Sequence, residues 1–202
     1  MIVLDIETSG LDFEKSGIWQ IGAIELENPD NYFLEEGRID DEDAINPDSL
    51  KVTGKSESEL RDKNKQSQKE LLQGFFNWAS RIQIKDCICQ NPQFDWSFLN
   101  IKAAKYKLSF PFIHRAYDLH TIAQLKYFQL KSRFLIKKNI SDMGLSKILI
   151  FVGMHDTRKE HNALDDVKLT AECFSRIVYG KNLIESYKQF EIPPYLKENF
   201  RR

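Results

Sequence analysis

The first apolar run of the chain, Ile2-Val3-Leu4-Asp5-Ile6-Glu7, reads as a buried strand that ends in acid. Strand side chains alternate between faces, so Asp5 and Glu7 share one face with Cα atoms roughly 6–7 Å apart. A second strand pattern covers 18–26 and a third lies around 31–39. The short link at 8–17, with Gly10 and Gly17, predicts a hairpin-like return. Asn46-Pro47 marks a helix start, and 67–80 is helical with Leu71, Leu72, Phe75, Phe76, Trp78 and Ala79 dominating its apolar side. Cys87-Ile88-Cys89 reads as another buried strand, followed by a helix from Asp95 to Lys105. Asp118 is placed to cap a helix through Leu125, and 129–141 is expected to be a basic, irregular loop. Helices follow at about 142–152 and 162–179, before Pro193-Pro194 interrupts a charged tail. Strands come first and helices dominate later, which predicts an α/β class with one central mixed sheet.

The placement of acids on these elements is informative. Two carboxylates on one face of a core strand repel each other and are costly to desolvate. A divalent cation would relieve both penalties; two solvated acids at an exposed strand end is the alternative. Asp95 follows a buried strand and opens a helix, where it would serve either as a stabilising helix-terminal acid or as a metal ligand. In His161-Asn162-Ala163-Leu164-Asp165-Asp166-Val167, Asn162 and Asp165 resemble a capping arrangement. Leu164, Val167, Ala171, Phe174 and Val178 fall on one helical face. On that wheel Asp165 lies nearly opposite the apolar centre, whereas Asp166 lies at its edge and can reach inward. The chain therefore offers Asp5, Glu7, Asp95 and Asp166, with His161 beside the last. Oxygen-only ligands suit Mg²⁺ or Mn²⁺ rather than zinc. Four carboxylates suit a pair of ions about 3.5–4 Å apart, the arrangement used for phosphodiester cleavage. A histidine of near-neutral pKa is the natural group to take a proton from attacking water.

Composition narrows the setting. The 202 residues are 42% hydrophobic and 29% charged, which fits one globular domain with a sizeable core. No apolar run approaches the ~20 residues of a membrane span, so no membrane association is expected. A core strand beginning at residue 2 leaves no room for a targeting peptide, and Cys87, Cys89 and Cys173 read as reduced, buried thiols; both point to a cytoplasmic protein. The net charge of −1 does not announce a nucleic-acid binder, but its distribution is uneven. Acids dominate from Glu25 to Asp62, whereas from Trp96 to Ser141 Asp118 is the only one. The stretch from Lys126 to Lys138, with Tyr127, Phe128 and Phe134 interleaved, is a candidate guide for a nucleic-acid strand; a solvated loop with its aromatics in the core is the alternative.

The segments Asp5-x-Glu7-Thr8-x-Gly10-Leu11, Asn91-x-x-Phe94-Asp95 and His161-x-Ala163-x-x-Asp166, in this order, resemble the three exonuclease motifs of the DEDDh (DnaQ-like) 3'–5' exonucleases, within the ribonuclease H-like superfamily. The resemblance implies a five-stranded mixed sheet flanked by helices on both sides, its second strand antiparallel to its neighbours. It implies an exonuclease domain over 1–179 and a helical, charged C-terminal extension over 180–202. It further implies that Asp5, Glu7 and Asp166 hold one Mg²⁺ or Mn²⁺ ion. Asp5 would help hold a second ion, with Asp95 acting through water, and His161 would be the general base. Thr8, Leu11 and Phe94 correspond to contacts with the terminal nucleotide, although Leu11 could equally belong to the core. Two positions depart from the family pattern: Gln90 stands where many members have His, and Thr53-Gly54 where many have His-Gly. The implied activity is release of nucleoside 5'-monophosphates from single-stranded 3' ends, with DNA slightly favoured over RNA. A polymerase, another protein or a second copy would be the protein partner. A non-catalytic nucleic-acid or protein-binding module on the same fold is the rival expectation. His114, His120 and His155 fall outside the motifs and are expected to be structural or surface residues.

Overall fold

Alternation along the first strand divides its side chains between two cores. In the computed structural model, which describes residues 1–113, 115–156 and 162–197, β1 spans Ile2–Thr8. Ile2, Leu4 and Ile6 enter one core, with residues of α3 (Gln68–Arg81) and α4 (Pro92–Tyr106). Val3 enters the other, with residues of α5 (Leu119–Lys131), α6 (Leu145–Phe151) and α7 (Ala163–Tyr179). Asp5 and Glu7 follow Val3 in the alternation and so open on the α7 side.

β1 lies at the centre of the expected five-stranded mixed sheet. β2 (Ile18–Glu25) is antiparallel to both β1 and β3 (Asn28–Glu36), while β4 (Cys87–Cys89) is parallel to β1 and to β5 (Ala116–Asp118). With helices covering both faces, this is the ribonuclease H-like layering expected from the sequence. β3 begins three residues earlier than its pattern predicts, because Asn28-Pro29-Asp30 reads as a turn. The strand is at the sheet edge, where a proline without an N–H costs little. α1 (Pro47–Thr53) is capped by Asn46, whose side chain accepts from the Asp48 N–H, and α2 (Glu57–Leu60) follows with a capping box from Ser56 and Glu59.

The segment expected to be an irregular loop over 129–141 is more ordered than its composition suggests. α5 continues to Lys131, and a hairpin pairs β6 (Ile136–Lys137) with β7 (Ile140–Ser141). The cause is polar tethering: the Gln124 side chain accepts from the Leu135 N–H and donates to the Leu135 carbonyl, and Ser141 Oγ lies 2.7 Å from His120 Nε2.

Two buried ion pairs tie distant segments together. Lys102 Nζ lies 2.9 Å from Asp43 Oδ1, and Gln68 donates to the other Asp43 oxygen. One acid of the acidic stretch is therefore interior, holding the 37–46 loop to α3 and α4. On α7, Arg176 and Glu172 are fully buried 2.7 Å apart. Arg176 also donates to the carbonyls of Val152, Tyr187 and Phe190, while Glu172 accepts from the N–H groups of Leu183 and Ile184. These bonds fasten the segment after α7, where Ile192 and Leu196 of α8 (Pro194–Lys197) join the α7-side core. Removing one partner of such a pair strands a buried charge, so Arg176→Ala is expected to lower unfolding free energy by about 3–5 kcal/mol. Urea denaturation measures this, and a loss below about 1 kcal/mol would contradict it.

Candidate active site

The site forms where α7 begins against the middle of the sheet. Gly22 of β2 pairs with Asp5 of β1. A Cβ at Gly22 would lie 2.5 Å from the Ala163 carbonyl carbon and 2.6 Å from the Leu164 nitrogen. Only glycine lets the first turn of α7 rest directly on β2. The Gln20 side chain fixes the same turn by accepting from the Ala163 N–H at 2.9 Å, and Asn162 caps the helix by accepting from the N–H groups of Leu164 and Asp165. This docking carries Asp166 to the β1 acids: ligand oxygens of Asp5, Glu7 and Asp166 all lie within 4.8 Å of one another. Asp166 is buried and Asp165 exposed, as the wheel predicts.

Asp95 arrives from the opposite face of the sheet. β4 pairs only with Ile2 and Val3, so the end of β1 extends beyond it. The first turn of α4 fills that space and places the Asp95 carboxyl, 2% exposed, beside the Ile6 backbone and near Glu7. Burial pushes its pKa up to about 8; backbone hydrogen bonds from Asp95 itself and Ile6 oppose the rise, and the Glu7 charge adds to it. Asp118 steadies this arrangement, accepting from the Asn91 N–H at 3.2 Å and from the first N–H groups of α5. Asn91 itself is held in the left-handed region, φ 67°, immediately before Pro92 starts α4. Asp95 is not part of the close trio of acids.

Two clefts flank the acids. One, of about 330 Å³, is lined on the Glu7 side by Ile6, Thr8, Leu11, Phe94 and residues of α1 including Val52 and Thr53. Its walls are brought together by hydrogen bonds from Ser9 Oγ to the Ala44 carbonyl and from the Asn46 N–H to the Ser9 carbonyl. Leu11 is 73% exposed, which excludes the core reading of this residue. Thr8 is buried, its hydroxyl donating to the Gly10 carbonyl. The second cleft, of about 460 Å³, is lined on the other side by Asp5, Gln90, Asp142, Gly144, Leu145, Ser146, Lys147, Asp166 and Thr170. Gln90 lines this cleft, and its Oε1 is buried with no hydrogen-bond partner among the described residues.

The donor set fits a hard divalent cation: three converging carboxylates, with a fourth nearby. Burial pushes the Cys87 and Cys89 thiols up, and neither residue belongs to the converging trio. His161 lies outside the described residues, as does His114. His120 is bonded to Ser141, and His155 is exposed beside Phe190. Sequence reasoning passed over Gly22 and Gln20, although a glycine inside a strand pattern signals close backbone approach.

The RNase T-type exonuclease family model matches residues 2–174. The chain belongs to this exonuclease family. Among curated relatives it is 28% identical over 196 residues to the PolC-type DNA polymerase III of Thermotoga petrophila, covering 95% of this chain but 13% of that protein. It is also 28% identical over 192 residues to ribonuclease T of Haemophilus influenzae, covering 88% of this chain and 78% of that enzyme. The chain thus spans a small part of the polymerases and most of ribonuclease T. The nuclease domain of 3'hExo, a DEDDh family member bound to rAMP, superposes with a TM-score of 0.65 at 15% identity, covering 95% of this chain and 94% of that one. E. coli exonuclease I in complex with a dT13 oligonucleotide gives 0.69 at 15% identity, covering 87% and 40%. These structural likenesses carry the DEDDh exonuclease fold, and the family match carries membership.

Two predictions test the geometry. Gly22→Ala should weaken Mn²⁺ binding about 10–100-fold by displacing the first turn of α7; unchanged calorimetric affinity would contradict the role given to this close approach. The folded state holds the Asp95 proton more tightly than an unfolded aspartate of pKa 3.8 does. In EDTA, stability should therefore fall as pH rises from about 4 through about 8, and Asp95→Asn should flatten that decline. Identical pH profiles of melting temperature for the two proteins would contradict it.

Proposed function

We propose that this protein is a metal-dependent 3'–5' exonuclease that removes nucleoside 5'-monophosphates from the 3' end of single-stranded nucleic acid. The convergence of Asp5, Glu7 and Asp166 beside a nucleotide-sized cleft carries the reading. Family membership and the two ligand-bound structural neighbours support it.

Asp5, Glu7 and Asp166 would hold Mg²⁺ or Mn²⁺, with Asp5 shared and Asp95 acting through water, and the ions would stabilise the attacking and leaving oxygens. Asp95 suits this outer role: it is buried, raised in pKa and outside the close trio. Leu11 and Phe94 offer apolar walls to the terminal base and sugar, with Thr8 at the floor of the cleft. His161 is assigned as general base from its motif His161-x-Ala163-x-x-Asp166. It takes a proton from the water that attacks the terminal phosphorus. The bond to the preceding nucleotide's O3' breaks, that oxygen is protonated, and a nucleoside 5'-monophosphate leaves.

With Mn²⁺ and 5'-labelled single-stranded DNA, duplex DNA and RNA, the protein should give ladders shortening from the 3' end, fastest on a single strand. Internal cuts, or no cutting of any substrate, would overturn the proposal. His161→Ala should lower kcat by about 10²–10⁴-fold while leaving oligonucleotide affinity nearly unchanged. Unchanged kcat would remove His161 from the mechanism.

A further inference from the structure

The cations that make the middle of the sequence basic do not share one fate in the structure. Lys102 is consumed by Asp43, and Lys105 by Asp40 and Glu42. Lys126 is buried, and Tyr127 packs on Phe151 against the α7-side core. Lys131, Arg133, Lys137 and Lys138 are different. All four are exposed, and none has an acidic partner among the described residues. No acid occurs anywhere from Leu119 to Ser141.

The same stretch of chain carries an aromatic pair. Phe128, in the last turns of α5, and Phe134, just before β6, lie with ring centroids 4.8 Å apart and planes inclined by 30°. They are 43% and 50% exposed, so each keeps a large part of its surface open to solvent. Ile136 and Ile140 of the hairpin are more exposed still, at 55% and 70%. Open aromatic faces among unpaired cations match the chemistry of a single strand, whose bases stack and whose phosphates are anionic. A protein partner matched to the same surface would need an acidic, apolar face of its own.

The position of the patch strengthens this match. The hairpin ends at Ser141, and the next residue, Asp142, lines the cleft that holds Asp5 and Asp166. Ser141 accepts from Gln124 and from the Met143 N–H, while the Asp142 N–H donates to Leu135, so hairpin, α5 and cleft wall form one tethered unit. Glu7 lines the first cleft and Asp5 and Asp166 the second, so a strand with its 3' nucleotide in the Leu11–Phe94 cleft would pass the acids toward Asp142 and the hairpin. We propose that the end of α5 and the β6–β7 hairpin form a binding track for the 5'-ward part of the substrate strand, with Phe128 and Phe134 as its stacking platform. The proposal rests on the exonuclease reading above. It implies that the protein acts preferentially on oligonucleotides long enough to reach the hairpin.

The test compares wild-type protein with a variant carrying Lys131→Ala, Arg133→Ala, Lys137→Ala and Lys138→Ala, and with another carrying Phe128→Ser and Phe134→Ser. Binding of a 20-nucleotide single strand is read by fluorescence anisotropy in EDTA at several salt concentrations. Hydrolysis of that strand and of a dinucleotide is read with Mn²⁺. The fourfold variant should bind the 20-mer about tenfold or more weakly, with the slope of log affinity against log salt reduced by about 0.7 for each phosphate the protein no longer neutralises. The aromatic variant should bind about tenfold more weakly with its slope unchanged. Both should cleave the dinucleotide within twofold of wild type. A 20-mer affinity and salt slope like wild type in the fourfold variant would overturn the track alone and leave the surface to a protein partner. Equal losses on dinucleotide and 20-mer would overturn it as a general folding defect. Failure of the wild type to cut either substrate would overturn the exonuclease reading and the track together.

Discussion

The site depends above all on the packing of the first turn of α7 against the backbone of β2 at Gly22. Nothing larger than hydrogen fits there, since a methyl would meet the Ala163 and Leu164 backbone at 2.5–2.7 Å. That closeness decides where Asp166 stands. Residues on the first turn of a helix move with its end, so a shift of α7 away from the sheet would separate Asp166 from Asp5 and Glu7. The Gln20 bond to the Ala163 N–H and the Asn162 cap hold the same turn in orientation as well as distance. The buried Arg176–Glu172 pair stabilises the far end of the helix against the segment that follows it.

A second constraint comes from electrostatics. Three carboxyl groups gathered within 4.8 Å, with a fourth buried beside them, form an arrangement that folding alone does not favour. At Asp95 burial raises the pKa first, and the Glu7 charge adds to the rise. A hard divalent ion reverses the sign of the local field and turns the same crowding into affinity. The converging carboxylates fit such an ion, in keeping with membership of an exonuclease family.

Much of this was legible in the sequence because the two relevant periods are simple. Two-residue alternation puts Asp5 and Glu7 on one face of β1, and the 3.6-residue period separates buried Asp166 from exposed Asp165. What was hidden lies in tertiary contacts. The strand at 28–36 carries a proline that is tolerated at the sheet edge, beside a register shift in its pairing with β2. The stretch at 129–141 reads as a loop because its hairpin depends on bonds from Gln124, a residue of the preceding helix. Gly22 inside a strand pattern signals a close approach, but which backbone approaches it shows only when α7 is seen against it. The segregation of Lys102 and Lys105 into ion pairs, and of Lys131 and Arg133 into solvent, likewise depends on which acids lie across the fold.

The central claim is that acids from β1 and α7 form one cation site. Anomalous diffraction at the manganese edge from crystals grown with Mn²⁺ tests it most directly. An anomalous peak contacted jointly by the carboxylates of Asp5, Glu7 and Asp166 is the predicted result. Peaks confined to other acids, with none at this trio under saturating Mn²⁺, would contradict it.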